Sequence, residues 1–350
     1  MQLTDLAHQC GEWLRGKGSD SDIVISTRIR LARNLDGYPF VSRLTESQQT
    51  ELAELLCDHI VAQAILPEST YFDLKHARDV ERRLLVERHL ISKEHEGAAN
   101  ERGVAVQNDE AVSIMINEED HLRIQVLRSG FELEDTWTTI NAIDTTLGEC
   151  VPYAFSERLG FLTACPTNVG TGMRASVMLH LPALELTKQI EKVFHAVAKI
   201  NLTVRGLYGE GTQASGNFYQ ISNQITLGKT EDEILKEIQA IIPEIVENER
   251  RARRVIMERS AKQLEDRVWR AYGMLRSARI ISSNETMALL SHLRLGVNLG
   301  IIEDIDIAVI NQLFVRTLPA HLQVLEGQEL DPQTRDTARA TFIRKCLGES

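Results

Sequence analysis

Two strand patterns that almost touch constrain the fold of this chain more than any other feature. Residues 112–116 and 122–127 are rich in aliphatic side chains, and only residues 117–121 separate them. So short a connection joins antiparallel strands, because parallel neighbours need a crossover of about a dozen residues or more. Three more strand patterns lie at residues 22–28, 175–181 and 224–227. The sequence therefore predicts an α+β fold with an antiparallel β-sheet flanked by helices.

The pattern changes after Gly228, where strand signals give way to helical ones. Thr230 and Glu233 have the spacing of a capping box, in which each side chain binds a backbone N–H of the other residue. A long helical pattern follows, and Pro243 predicts an interruption in it. From about residue 255 the sequence pattern is helical throughout. We therefore predict a mixed domain at residues 1–255 and an all-helical domain at residues 256–350.

Composition excludes several classes of function. The chain has 350 residues and a formal net charge of −11, so its overall field repels nucleic acids and anionic membranes. Its five cysteines include no Cys-x-x-Cys pair, which argues against structural zinc and a disulfide framework and favours a reducing compartment. The N-terminal residues lack the features of a signal peptide, and no apolar run is long enough to span a bilayer. We expect a cytoplasmic protein that binds neither nucleic acid nor membrane.

The most informative segment for function is residues 165–174, which joins a thiol to an arginine. Between Cys165 and Arg174, Gly170 and Gly172 allow the backbone to approach a ligand closely or to adopt positive φ. Arg174 then heads a strand pattern. This combination predicts a site for an anionic or guanidinium-bearing ligand.

A second candidate is the Ser-Thr-Arg-Ile-Arg segment at residues 26–30. Arg28 and Arg30 are two residues apart, so in an extended strand both guanidinium groups project from one face. Two like charges side by side repel unless an anion lies between them, and arginine can bind phosphate bidentately. The alternative is a solvated basic edge.

Two further segments combine acidic and basic residues. In the hairpin connection Glu119 can serve as a general base and Arg123 opens the next strand, although such acids also form plain polar turns. Residues 204–216 contain several glycines together with Arg205 and Glu210. Their composition is typical either of a lid that closes over substrate or of a simple flexible loop.

Two motifs remain. Gly228-Lys-Thr suggests a phosphate-binding P-loop, but Asn223 occupies the position of its first glycine, so we exclude that interpretation. Arg335 and Arg339 lie four residues apart on one face of a predicted helix. They form either a small anion clamp or an ordinary surface pair in which Asp336 offsets the repulsion.

Together these motifs resemble the phosphagen (guanidino) kinases over about residues 22–255. The matching segments, in that family's order, are Ser-Thr-Arg-Ile-Arg, Asn-Glu-Glu-Asp-His-Leu-Arg, Cys-Pro-Thr-Asn-Val-Gly-Thr-Gly, Arg-Ala-Ser-Val, and Val-Arg-Gly followed by Gly-Glu. Those kinases carry a helical domain before the first motif, whereas only 25 residues precede Ser26 here. The extra helical domain is instead C-terminal and contains Arg-Asp-Thr-Ala-Arg-Ala. This arrangement resembles the bacterial protein-arginine kinases.

The resemblance implies a glutamine-synthetase-like catalytic domain that phosphorylates arginine in proteins. Glu119 and Glu210 would hold and deprotonate the guanidinium acceptor, and Cys165 would orient it. ATP, with Mg²⁺ carried by its phosphates and no protein ligand to the metal, is the implied donor. Its implied binding residues are Ser26, Thr27, Arg28, Ile29, Arg30, His89, Arg123, Arg174, Ala175, Ser176, Val177, Met178, Arg205, Gly206, Leu207, Tyr208, Gly209 and Glu210.

The resemblance also implies regulation and partners. Protein substrates with an accessible arginine, an activator protein and a Clp-type protease are the implied partners, in a stress response that marks proteins for degradation. The helical domain would form a homodimer and bind phosphoarginine as an allosteric ligand. The implied phosphoarginine residues are Arg335, Asp336, Thr337, Ala338, Arg339 and Ala340.

Two alternatives stay open. One is a guanidino kinase that acts on free arginine, and the other is a non-catalytic adaptor that binds phosphoarginine. Retention of Glu119, Glu210, Cys165 and the five arginines implied to bind phosphate argues against the adaptor.

Overall fold

A large antiparallel sheet organises the protein. The computed structural model describes residues 1–97, 100–206 and 215–348. Its strands are β1 (Val24–Arg33), β2 (Ser69–Asp73), β3 (Gly103–Gln107), β4 (Val112–Ile116), β5 (Leu122–Ser129), β6 (Phe155–Ser156), β7 (Gly160–Phe161), β8 (Met173–His180), β9 (Leu202–Gly206) and β10 (Phe218–Asn223). Within the described residues, eight strands form one sheet in the order β2-β3-β4-β5-β1-β8-β10-β9. All its neighbouring strands pair antiparallel, which confirms the predicted fold class.

Helices flank the sheet and make up the C-terminal region. They are α1 (Glu46–Cys57), α2 (Asp79–Glu87), α3 (Lys93–Glu96), α4 (Leu133–Cys150), α5 (Pro182–Leu186), α6 (Ile190–Lys199), α7 (Glu231–Ser277), α8 (Ser283–Asn298), α9 (Ile307–Arg316), α10 (Pro319–Glu326) and α11 (Pro332–Cys346). A π-helical turn at Asp58–Ala62 extends α1. Short 3₁₀ helices lie at Leu3–His8, Glu12–Leu14, Val41–Arg43, Pro166–Asn168 and Ser215–Asn217. None of the described helices combines the length and apolar character needed to cross a bilayer.

The two faces of the sheet have different roles. Because side chains alternate along a strand, Ile29 and Leu31 of β1 point into the main apolar core beneath α4 and the first half of α7. Arg28 and Arg30 point to the opposite face. That face also carries two smaller apolar clusters, one formed with the C-terminal helices and one formed with α2. These two clusters cover only part of that face. We call the face that carries Arg28 and Arg30 the open face of the sheet.

The start of α7 follows its sequence prediction, but its course does not. Thr230 Oγ1 accepts a hydrogen bond from the N–H of Glu233 at 3.3 Å, and the Glu233 carboxylate accepts one from the N–H of Thr230 at 2.8 Å. The predicted interruption at Pro243 is wrong, since α7 continues through it and its non-helical residue is Ser260 (φ −145°, ψ 30°). Burial of the adjacent Ile242 and Ile245 in the core offsets the hydrogen bond that proline removes.

The strand predicted at residues 224–227 is also wrong. The strand there is β10, which ends at Asn223. Thr226 instead turns back onto the loop that precedes β8. Its hydroxyl oxygen lies 2.8 Å from the carbonyl oxygens of both Thr167 and Val169, which share its one proton. A segment with the composition of a strand thus forms a loop contact and does not pair within the sheet.

A buried arginine joins the C-terminal helices to the sheet. Arg294 of α8 has no exposed surface, and it donates to the carbonyls of Ser21 (2.8 Å) and Asp22 (3.0 Å) and to Asn311 Oδ1 (3.1 Å). Burial and the nearby Arg253 lower the pKa of Arg294 to about 9. The hydrogen bonds offset the cost of burying this charge.

Replacing Arg294 with methionine should lower the free energy of unfolding by about 3 kcal/mol, because the carbonyl of Ser21 and Oδ1 of Asn311 lose their donor. Urea denaturation followed by circular dichroism measures the change. Arg254, which makes an exposed pair with Glu247 on α7, provides the control, and R254M should leave the unfolding free energy nearly unchanged. Equal effects of the two substitutions would contradict the structural role of Arg294.

Candidate active site

Five arginines predicted from the sequence lie in one cleft on the open face of the sheet. The cleft has a volume of about 630 Å³, and its lining includes Arg28, Arg30, Arg123, Arg174 and Arg205. Strand register explains this convergence, because Arg30 of β1 pairs directly with Arg174 of β8 and Arg28 lies two residues along the same face. Residues far apart in the chain therefore meet through antiparallel pairing.

The arginine cluster is short of negative charge. Burial, followed by the charges of Arg123 and Arg174, lowers the pKa of Arg28 to about 10. Burial and the neighbouring guanidinium groups lower the pKa of Arg30 well below its ordinary value. The Nε atoms of Arg30 and Arg174 are buried and have no hydrogen-bond partner among the described residues. These groups have the geometry and the charge to bind a polyphosphate.

Two neutral side chains hold part of the cluster in place. Arg28 Nη2 donates to Gln220 Oε1 at 2.9 Å, and Arg174 Nη2 donates to Ser222 Oγ at 3.1 Å. Both acceptors lie on β10, the neighbour of β8. The guanidinium groups are thus oriented without being neutralised.

Two of the acidic residues that line the cleft, Glu118 and Glu119, come from the hairpin between β4 and β5. Glu118 Oε2 accepts a hydrogen bond from Arg123 Nη1 at 2.9 Å, and Glu118 Oε1 accepts one from Ser92 Oγ at 2.5 Å. Burial alone would lower the pKa of Arg123, but Glu118 and Asp120 raise it above its ordinary value. Glu118 therefore fixes the position of Arg123.

Glu119 is the carboxylate best placed to act on a ligand. It lines the cleft, its side chain is 45% exposed, and its Oε2 lies 4.0 Å from Arg123 Nη1. Partial burial and the adjacent carboxylates of Asp120 and Glu118 raise the pKa of Glu119. A raised pKa makes a carboxylate a stronger base, which suits general base catalysis.

A buried polar contact brings Glu119 and Cys165 to the same cleft. Asp120 Oδ1 accepts hydrogen bonds from Asn34 Nδ2 and from the N–H of Ala164, both at 2.6 Å. Asp120 and Ala164 are the chain neighbours of Glu119 and Cys165, so this bond ties the two segments together. No local sequence pattern indicates this role of Asn34 and Asp120, because only the folded chain brings them together.

Cys165 is a free thiol at the start of the short helix Pro166–Asn168. It lines the cleft, and its Sγ lies 3.0 Å from Thr167 Oγ1. All five cysteines are free, in line with the sequence expectation of no disulfide framework.

The two glycines of the loop at residues 165–174 allow its backbone to pack closely against neighbouring backbone segments. Gly170 and Gly172 have φ values of 113° and 62°. A Cβ on Gly170 would lie 2.6 Å from the carbonyl oxygen of Thr226, and one on Gly172 would lie 2.6 Å from that of Ala32. Both the positive φ and the space therefore require glycine.

His89 is not among the residues that line the cleft, but it lies near enough to the arginine cluster to feel its charge. Burial, followed by the charges of Arg28 and Arg30, lowers the pKa of His89 to about 3, so the imidazole is neutral at physiological pH. Its ring meets that of Trp13 edge to face with centroids 5.2 Å apart. A neutral imidazole at this position can contact a bound anion or a ring without adding charge.

Several predicted nucleotide-binding residues do not reach the cleft with their side chains. They alternate with the cleft residues along β1 and β8 and are Thr27, Ile29, Ala175 and Val177. The last three belong to the main apolar core. The Thr27 hydroxyl donates to the carbonyl of Gly130 at 2.7 Å. These four side chains hold the strands in place and do not face the cleft.

The other predicted residues differ in position. Ser26, Ser176 and Met178 lie on the cleft side of their strands but are buried, and Gly206 lines the cleft. Leu207, Tyr208, Gly209 and Glu210 lie outside the described residues. The cleft also contains residues that the sequence analysis did not single out as site residues, namely Ser92, Glu94, Arg102, Glu118, Thr167, Asn168 and Gln220. Local sequence gives no signal for most of these, because they reach the cleft only through the tertiary fold.

The C-terminal arginine motif lies on α11. Arg339 is buried, donates to the carbonyls of Thr317 and Ile281, both at 2.9 Å, and pairs with Asp336. The pairing with Asp336 follows the sequence expectation, but the arginine is internal rather than on the surface. Arg335 is half-buried, Thr337 is exposed, Ala338 is half-buried and Ala340 is buried.

Replacing Arg30 with methionine should raise the unfolding free energy by about 1 kcal/mol in the absence of ligands, because it removes a charge whose neighbours are also positive. Arg33, on the same strand, is the matched control. It is buried, but it donates to Asp144 and to the carbonyls of Ala32 and Thr171.

R33M should accordingly lower the unfolding free energy by about 3 kcal/mol. Urea denaturation of both variants tests the contrast. Destabilisation by R30M as large as that by R33M would contradict the view that the cluster is electrostatically strained.

Comparison with known proteins identifies the family. Residues 51–252 match the family model described as ATP:guanido phosphotransferase, C-terminal catalytic domain. Residues 261–350 match that of the protein-arginine kinase McsB C-terminal domain. The protein-arginine kinase of Halothermothrix orenii is 47% identical over 348 residues, covering 99% of each chain. That of Symbiobacterium thermophilum is 49% identical over 338 residues, covering 96% of each.

Comparison with solved structures leads to the same family. The duplicated taurocyamine kinase from Schistosoma mansoni with bound transition state analog components superposes with a TM-score of 0.58 at 29% identity, covering 65% of this chain and 33% of that one. Lombricine kinase gives a TM-score of 0.57 at 26% identity, covering 70% of each chain. The resemblance inferred from the motifs is confirmed. The chain belongs to the protein-arginine kinase family of the ATP:guanido phosphotransferases.

Proposed function

We propose that this protein transfers the γ-phosphoryl group of ATP to a guanidinium nitrogen of arginine side chains in other proteins. The observation that carries the proposal is the cleft itself, in which five arginines short of negative charge share one lining with Glu119 and Cys165. Identity of 47% over the full length with a relative named protein-arginine kinase supports the protein substrate.

The arginine cluster would bind the triphosphate. Phosphate oxygens supply the hydrogen-bond acceptors that the buried Nε atoms of Arg30 and Arg174 lack, and their negative charge relieves the mutual repulsion. Mg²⁺ bound to the phosphates would neutralise the charge that develops during transfer. The described residues contain no group of three or more His, Cys, Asp or Glu that could hold a metal ion. From the resemblance, we propose that the protein's own residues act on the phosphate oxygens and that the metal enters with ATP.

The acceptor chemistry needs a base. An arginine guanidinium has a pKa above about 12 and is a poor nucleophile while it is protonated. As the N–P bond forms and the bond to the leaving phosphate oxygen breaks, Glu119 would take the proton from the attacking nitrogen. Glu210, outside the described residues, is proposed as the second carboxylate, and Cys165 as a group that orients the guanidinium.

Mass spectrometry for phosphoarginine tests the proposal. The protein is incubated with ATP, Mg²⁺ and either an arginine-rich protein or free arginine. We expect phosphoarginine in the protein acceptor, and turnover of free arginine alone would favour a metabolic guanidino kinase. Absence of turnover with both acceptors would favour the non-catalytic adaptor.

Replacing Glu119 with glutamine should lower kcat by about 100-fold with little change in ATP affinity, because the amide cannot accept the proton. Glu96→Gln is the control, since Glu96 pairs with Arg83 and does not line the cleft. It should retain the wild-type rate. A wild-type rate in E119Q would contradict the assignment of Glu119 as the base.

We also propose, from the resemblance, the finer aspects of function. Phosphoarginine would bind residues 335–340 as an allosteric ligand, with the half-buried Arg335 as the available guanidinium, since Arg339 is engaged in structural hydrogen bonds. The protein would act in the cytoplasm as a homodimer, with an activator protein, and would mark substrates for a Clp-type protease during stress.

Phosphoarginine should stimulate the kinase, and R335A should abolish the stimulation without lowering the melting temperature. R339A should also abolish it but should lower the unfolding free energy by about 3 kcal/mol, because two buried carbonyls and Asp336 lose their partner. Initial rates with added phosphoarginine, together with thermal melts, separate the two effects. Full stimulation of R335A by phosphoarginine would contradict the proposal that α11 binds this ligand and would leave α11 with a structural role only.

A further inference from the structure

Three consecutive residues at the end of α2 connect the C-terminal helices with the cleft. They are Glu87, Arg88 and His89, and each makes a different kind of contact. Glu87 binds the start of α10, Arg88 lies in a buried ion-pair network, and His89 binds Gln125, the strand partner of Arg30. A displacement of α10 would therefore be transmitted along one short segment to the arginine cluster.

Glu87 supplies the N-terminal cap of α10. The N-cap residue of that helix, Leu318, makes no side-chain capping bond. The Glu87 carboxylate instead accepts hydrogen bonds from the N–H groups of Ala320 (2.8 Å) and His321 (3.0 Å). Burial raises the pKa of Glu87 to about 7, and in its ionised form the carboxylate also interacts favourably with the helix dipole. A residue at the end of α2 thus caps a helix of the C-terminal region.

His321 links Glu87 to Arg88. Its Nδ1 lies 2.8 Å from Glu87 Oε2, and its Nε2 lies 3.2 Å from Arg88 Nη1. Because arginine only donates, Nε2 must accept, so the proton of the neutral imidazole is on Nδ1 and is donated to Glu87. Arg88 also donates to both oxygens of Glu110, at 2.8 Å and 2.5 Å, and these two side chains have no exposed surface.

This network sets the backbone position of His89. His89 has a φ of 60°, which is uncommon for a residue other than glycine. Its carbonyl accepts a hydrogen bond from Gln125 Nε2 at 2.7 Å, and Gln125 pairs with Arg30 in the sheet. Trp13, which packs with the C-terminal helices, supports the imidazole ring from behind. The surrounding structure therefore holds an uncommon backbone conformation at His89, next to Gln125 and its strand partner Arg30.

We infer that Glu87, Arg88 and His321 are positioning residues for ATP, which hold His89 beside Arg28 and Arg30 so that the packing of α10 sets the affinity for the nucleotide. This inference rests on the proposed function, in which His89 contacts the nucleotide. The charges of Arg335 and Arg339 on α11 also act on Glu87.

A double-mutant cycle between Glu87 and His89 tests the inference. Steady-state kinetics gives kcat and the KM values for ATP and for a protein acceptor in wild type, E87Q, H89A and the double variant. E87Q should raise the KM for ATP about fivefold and change kcat and the acceptor KM by less than about twofold. In the H89A background E87Q should raise the KM for ATP no further, because it acts through His89.

Glu249 provides a matched control. It is a buried carboxylate of α7 that accepts hydrogen bonds from the N–H groups of Ala183 (3.0 Å) and Leu184 (2.9 Å) at the start of α5, so it makes the same kind of cap elsewhere. E249Q should lower the melting temperature about as much as E87Q and leave the KM for ATP unchanged. If the KM for ATP rose equally in E87Q and E249Q, the effect of Glu87 would be explained by a general loss of stability, and the inference would be overturned.

The remaining outcomes are also decisive. An unchanged KM for ATP in E87Q, or an equal multiplication of KM in the wild-type and H89A backgrounds, would overturn the inference while leaving the proposed function intact. Absence of ATP turnover in the wild type would instead refute the proposed function. Should E87Q fail to fold, His321→Gln interrupts the same network and should give the same non-additive pattern with His89.

Discussion

Repulsion among the guanidinium groups on one face of the sheet is the constraint on which the rest of this structure depends. Arg28, Arg30 and Arg174 are brought together by direct strand pairing, and burial together with mutual repulsion lowers the pKa of each. The same strands bury aliphatic side chains on their other face, and that burial offsets the cost of the cluster. Stability thus comes from one face of the sheet, and the capacity to bind an anion comes from the other.

The sequence predicted those parts of the fold that depend on local pattern. The spacing of residues 112–127 indicated the hairpin, and the alternation of Arg28 and Arg30 indicated a shared face. Motif order then suggested the family, because each motif alone was ambiguous but their combination was specific. The capping box at Thr230 was also predicted correctly.

The features that were missed depend on long-range packing. Asp120 meets Asn34 and Ala164 only in the folded chain, so no local pattern signals that contact. Pro243 was expected to interrupt a helix, but burial of its neighbours in the core outweighs the local preference. A contiguous motif in a strand also includes residues that cannot reach the ligand, because strand alternation turns side chains such as Ile29 away from the cleft. Pattern alone located the site, and the tertiary structure was needed to decide which of its residues face a ligand.

The C-terminal helices are attached to the sheet through buried polar groups as well as apolar packing. Arg294 of α8 binds the backbone just before β1. Glu87, at the end of α2, caps the N-terminus of α10. Hydrogen bonds of this kind fix relative positions more narrowly than apolar contacts, because they depend on direction. The catalytic face and the helical region are therefore expected to respond to each other.

The most direct test of the central claim is the stability of the protein at rising concentrations of tripolyphosphate, compared with sodium chloride at equal ionic strength. If the arginine cluster lacks a polyanion, tripolyphosphate should raise the free energy of unfolding with the logarithm of its concentration. The gain should reach about 2.7 kcal/mol at 100 times its Kd. Stabilisation no greater than that from the matched salt would contradict the claim that the cluster is built to be neutralised by a polyphosphate.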